Sequence, residues 1–157
     1  MIRPASRDDA RALAELEVRA WRWAYADIVP EDAMITVAER LERWGGEPLE
    51  GTAVHVADSA RVVGVVQTGV REDEPGVGAL RGLYVEPAAQ GAGVGSALHD
   101  HALTTLRTAG HAEATLWVFT ANGHAREFYA GRGWRPDGGR STWRGVPELR
   151  YRRDLAC

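Results

Sequence analysis

The sequence predicts an α/β domain of three layers, with helices on both faces of a mixed, mostly antiparallel sheet. Three observations lead there. From Thr52 the apolar period is two, with Val54 and Val56 alternating with Ala53 and His55; after Asp58-Ser59-Ala60 a second apolar run fills residues 61–70, and the pair reads as a β-hairpin. Leu83-Tyr84-Val85 is a strand-type run that feeds through a glycine-rich turn into a helix with Leu98, Ala102 and Leu106 on one stripe. Ala112 to Val118 repeats this arrangement as a buried-type strand before a helix that starts at Asn122.

The remaining elements follow in order. Ile2-Arg3-Pro4-Ala5 is a short first strand, and Ser6 with Asp9 makes a capping box for a helix whose Leu13, Leu16, Ala20 and Ala24 face the core. Trp21 and Tyr25 lie on the neighbouring face. Pro30 interrupts the pattern, a second helix runs from about Glu31 to Trp44, and Gly45-Gly46 ends it. Arg71 to Gly78 is a loop. Pro87 withholds a backbone donor and stops the strand carrying Leu83 to Val85. The helix beginning near Gly93 ends around Gly110, and the one from Asn122 ends near Gly131. Trp134 to Pro136 and Glu148 to Leu155 are the last strands, with 136–147 irregular between them.

At 157 residues with 45% apolar content, the chain is sized for one domain, 1–157, around one core. A formal charge of -3 gives no support for a nucleic-acid surface. The single cysteine, Cys157, allows no internal disulfide and points to the reducing cytoplasm. No apolar signal core follows Met1, and no run approaches the roughly 18 residues of a membrane span, so a soluble protein with no membrane partner is expected.

The turn at 90–96 carries the chemistry. Glycines at 91, 93 and 95 let the backbone approach a ligand closely, and the free N–H groups of the new helix, with roughly half a positive charge from its dipole, favour a phosphate. A P-loop is excluded because the chain contains no lysine, and the dinucleotide fingerprint fails because its third glycine would fall on Ser96. Gln90-x-x-Gly93-x-Gly95, preceded by Leu83-Tyr84-Val85-x-Pro87, resembles the signature of the GCN5-related N-acetyltransferases (GNAT). A second block strengthens the resemblance: Leu116 to Asn122, then Ala125-Arg126-x-Phe128-Tyr129 and Gly133-Trp134, with Trp134 in the place usually held by Phe.

The resemblance covers nearly the whole chain and implies an acetyltransferase that moves an acetyl group from acetyl-CoA to a primary amine by direct attack in a ternary complex. It implies that backbone groups of Leu83 and Val85 pair with the pantetheine arm, that Gln90, Gly91, Gly93, Gly95 and Ser96 hold the pyrophosphate, and that Asn122 and Arg126 contact the cofactor. Asn122 also reads as a helix N-cap, and both roles can coexist. Tyr129 is the first choice for the proton donor to the departing thiolate, with Phe128 assigned to the core. The strand glutamate usual in the family is replaced by Ala79, which leaves His55, Glu72, Asp27 or water as unranked bases. That absence also keeps open an acyl-CoA sensor without turnover. Trp21, Tyr25 and Asp27 are expected to bind the acceptor, and with Glu31 and Asp32 they suggest a cationic small-molecule or peptide amine; the two aromatics could equally pack the helix pair. His99 and His101, at i, i+2 on a helix, point to different faces and read as solvated side chains rather than a metal pair, and His124 as a surface residue. No metal is expected, and whether two copies of the chain pair is left open.

Overall fold

The computed structural model describes residues 1–46 and 53–156. The expected hairpin start at Thr52, and Cys157, lie outside the described residues. Among these residues, strands β1 (Ile2–Pro4), β2 (Ala53–Ser59), β3 (Arg61–Val70), β4 (Val77–Val85), β5 (Glu113–Phe119), β6 (Arg135–Trp143) and β7 (Val146–Asp154) form one sheet in the order β1-β2-β3-β4-β5-β7-β6. Only β4 and β5 are parallel neighbours, so the sheet is mixed and mostly antiparallel. Helices α1 (Ala10–Tyr25) and α2 (Val37–Gly45) cover one face, with Leu13 and Leu16 packed on Val56 and Val65. Helices α3 (Val94–Thr108) and α4 (Gly123–Ala130) cover the other, where Leu98, Leu106 and Tyr129 meet Val66, Leu80 and Leu116.

The start of α1 is set locally. Asp9 Oδ2 accepts the Ser6 N–H at 2.8 Å, and Asp9 also pairs with Arg3, which holds its carboxyl down at about 2. The second helix differs from expectation. Glu31–Ala33 is a single 3-10 turn, Met34 is extended, and α2 begins only after Thr36, whose hydroxyl accepts the Glu39 N–H. A good N-cap inside the segment outcompeted continuous helix. The stretch 136–147 also differs: it is ordered β-hairpin, with β6 on the outer edge of the sheet and Arg144-Gly145 turning both residues at positive φ. Pro136, Gly138 and Gly139 hide that strand from its sequence. They are tolerated because β6 is an edge strand, and they coincide with its register shift between Pro136 and Arg140.

Two irregularities prepare the functional cleft. Parallel pairing of β4 with β5 covers only Val77 to Ala79 opposite Glu113 to Thr115, and beyond it the strands separate. In β4, Gly82 pairs with Gln67 but Leu80 with Thr68, leaving Arg81 as an extra, bulged residue. Glu86, just past β4, is clamped by Arg19 of α1 at 2.6 Å, which ties the open end of the strand to the helix above it.

His99 is not a solvated side chain. It is 1% exposed, and its Nε2 accepts the Trp134 indole N–H at 3.0 Å, giving that buried donor a partner. Burial pushes the His99 pKa below the usual histidine value despite the neighbouring Asp100. The unfolded chain therefore takes up the proton first as pH falls below about 6.5, and stability drops. In scanning calorimetry the wild-type midpoint should rise between about pH 5 and pH 7, and His99→Gln, which keeps an acceptor for Trp134, should flatten that rise. Equal slopes in the two proteins would remove His99 as its source.

Candidate active site

The glycine turn meets its conformational demands at two positions. Gly91 and Gly93 have φ of 80° and 84°, a region costly for other residues, and Gly93 is the N-cap of α3. Gly95 is different: it lies in the first helical turn without positive φ, and its open side faces Leu83, Val85 and Phe128. Among the described residues, no acceptor engages the backbone N–H groups of 91–96, which leaves a row of donors at a helix start. Arg132, which the sequence reading missed, adds a full positive charge there. Its guanidinium donates to Ser96 Oγ at 2.6 Å and lies 3.7 Å from the Phe128 ring centroid. Gln90 Nε2 donates to the Val85 carbonyl at 3.2 Å, so this side chain rests on the strand beside the turn.

On the other wall, Asn122 caps α4, its Oδ1 accepting the Ala125 N–H, and it also lines the cleft. Arg126 is turned into the frame instead, donating to Tyr151 Oη and the Thr120 carbonyl, and it is not part of the cleft lining. Tyr129 is 9% exposed and packs at right angles on Phe128.

Two cavities meet between the parted strands. One, of about 340 Å³, runs along Leu83 to Val85, Gln90, Gly95, Asn122, His124 and Phe128, with the exposed Trp23 at its side. The other, of about 260 Å³, lies on the α1 and α2 side and is lined by Trp21, Trp143, Phe119, Arg40, Arg81 and Glu148 among others. Both cavities include Tyr25, Leu83, Tyr84, Ala125 and Tyr129. Burial holds the Tyr129 phenol well above its usual value and pushes that of Tyr84 up to about 12, so both hydroxyls keep their protons near neutral pH.

The aromatic residues at the second cavity form one cluster. Trp21 lies 4.9 Å from both Tyr25 and Trp143 and 5.9 Å from Phe119, so it packs the core and lines the cavity at once. Asp27, Glu31 and Asp32, expected beside the acceptor, are exposed and outside this lining; Glu31 pairs with Arg22 at 3.0 Å. Of the candidate bases, His55 meets His101 edge-to-face, with ring centroids 4.3 Å apart, outside both cavities, and Glu72 sits in a neighbouring groove. The carboxylate inside the second cavity is Glu148 on β7, which sequence reasoning missed. Burial raises its pKa, opposed by a Ser141 hydrogen bond. Among the described residues no cluster of metal-ligating side chains occurs, and no helix is long and apolar enough to cross a membrane.

Strands β4 and β5 part beside a donor-rich helix start, and the acetyltransferase (GNAT) family model matches residues 11–134, so the chain belongs to that family. A curated relative, an uncharacterized N-acetyltransferase YuaI of Bacillus subtilis, is 27% identical over 125 residues, 77% of this chain and 72% of the relative. Among solved structures, the PaiA N-acetyltransferase of Thermoplasma acidophilum in complex with coenzyme A superposes with a TM-score of 0.81 at 19% identity, covering 98% of each chain. YncA of Salmonella typhimurium with its cofactor acetyl-CoA gives 0.72 at 20% identity, covering 100% of this chain and 94% of that one.

Proposed function

We propose that this protein transfers an acetyl group from acetyl-CoA to a primary amine by direct attack in a ternary complex. The observation that carries the reading is the junction of two cavities at Tyr129, one reaching the donor-rich turn and the other lined by Glu148. Acetyl-CoA, the cofactor in the YncA complex, supplies the activated thioester. The residues present suit it: the N–H groups of 91–96 and Arg132 favour a pyrophosphate, and the unpaired edge of β4 at Leu83 and Val85 offers backbone partners to the amides of the arm. The Val85 carbonyl can accept a second hydrogen bond beside that of Gln90.

In this reading the amine enters through the second cavity. Glu148 accepts a proton from the ammonium group, the freed lone pair forms the C–N bond at the thioester carbonyl, and the C–S bond breaks. Tyr129 donates a hydrogen bond to the departing sulfur, a role suited to a phenol kept protonated by burial. The reading of a sensor without turnover rested on the missing strand glutamate at Ala79. A cavity carboxylate contributed by β7 weakens it.

An acceptor screen read by released CoA thiol tests the transfer itself. Tyr129→Phe should keep acetyl-CoA affinity and lower kcat by about 10², the low end for a lost general acid, because a thiolate leaves more readily than an alkoxide. A variant within about threefold of wild type would remove Tyr129 from the chemistry.

A further inference from the structure

The acceptor cavity has an uneven charge. Among the described residues Arg40, Arg43 and Arg81 line it, against one carboxylate, that of Glu148. Arg40 is already neutralised: its Nε lies 3.0 Å from Glu17, a carboxylate 1% exposed on α1 that also accepts the Trp44 indole N–H. Arg43, although its charge also acts on Glu17, and Arg81 form no ion pair among the described residues. Arg43 donates to the Gln67 side-chain oxygen and Arg81 to the Val70 carbonyl, each at 2.7 Å, and among the described residues neither has a carboxylate partner. Arg19, Arg22, Arg71 and Arg144 each have one, while Arg126 and Arg132, on the cofactor side, also have none among the described residues.

The backbone builds this arrangement. The bulge in β4 gives Arg81 its position, and Gly69 makes room for it, since a Cβ there would collide with the Arg81 side chain. Each neutral hydrogen bond leaves most of a guanidinium's five donors open. The aromatic residues do not balance this charge with a clear cation site: Arg40 lies over Trp21 at 5.5 Å and Arg144 over Trp143 at 4.6 Å.

We infer that the acceptor is a small amine that also bears a carboxylate, with Arg43 and Arg81 gripping the carboxylate while the amine faces Glu148. This rests on the transfer reading above and reverses the cationic preference suggested by Asp27, Glu31 and Asp32. A cavity of about 260 Å³ suits a molecule of amino-acid size. Among the described residues Glu148 is hydrogen-bonded to Ser141, and burial raises its pKa.

The test does not depend on turnover. N-acetyl derivatives of the standard amino acids, each beside its carboxamide, are titrated calorimetrically into the CoA-loaded protein, with CoA affinity as the folding control. At least one free carboxylate should bind about tenfold or more tighter than its carboxamide, and Arg43→Gln with Arg81→Gln should abolish that preference while CoA affinity is kept. Absence of any carboxylate preference, or a preference untouched by the double variant, overturns the inference. Failure of the transfer reading is separate: it would appear as binding without thiol release for any free amine.

Discussion

Gly95→Glu is expected to abolish acetyl-CoA binding in a protein that stays folded. A Cβ at Gly95 would meet Val85, Phe128 and Leu83 at 3.7 to 4.0 Å, ordinary contact, and the position lies in the first turn of α3 without positive φ. The longer side chain must therefore project into the larger cavity, which Gly95 lines. Its carboxylate would fill space along the cofactor path and take up the helix N-terminal donors that a pyrophosphate needs. The same change at Gly91 or Gly93 would be ambiguous, because φ near 80° strains any residue with a side chain. Calorimetric titration with acetyl-CoA, alongside thermal unfolding, decides. An affinity within about threefold of wild type in a folded variant would move the phosphate site elsewhere.

Glu148→Gln should lower kcat by about 10² to 10⁴, the range for a lost general base, with little change in acetyl-CoA affinity. The pH profile gives the sharper reading. Glu148 has its pKa raised by burial, so as pH falls through that value the carboxyl is protonated and activity is lost; above it, kcat/KM levels off because the base is available. In the variant only the neutral amine attacks, and for an alkyl amine with pKa near 10.4 the rate should climb almost tenfold per pH unit with no plateau near neutrality. A wild-type profile that climbs in the same way, or a variant that keeps the plateau, would discard Glu148 as the base.

Much of this was legible in the sequence, and the reason is local. The glycines at 91 and 93, the Asn122 cap and the capping box at Ser6 and Asp9 are each answered within a few residues by backbone geometry, so they can be read without the fold. The apolar periods of α1, α3, β3 and β5 likewise carry their own burial pattern. The fold class followed from these, and the family from the resemblance carried by the blocks at 83–95 and 116–134. The start of β6 was read as a strand, but its continuation beyond Pro136 was missed because its tolerance of Pro136 and its glycines depends on lying at the edge of the sheet, a fact about the other strands.

What lines the second cavity was decided by tertiary structure alone. Glu148 is an unremarkable carboxylate in a late strand until β7 slots between β5 and β6 and carries it into the cavity. Arg81 depends on a bulge whose register is set by β3, and Arg132 meets Ser96 across 36 positions of sequence. His99 looked like a surface residue because its reason for burial, an indole N–H in need of an acceptor, sits on Trp134. In each case a charge or hydrogen bond gains its meaning from a partner far along the chain. Sequence periodicity records which face a residue takes; only packing fixes what it meets there.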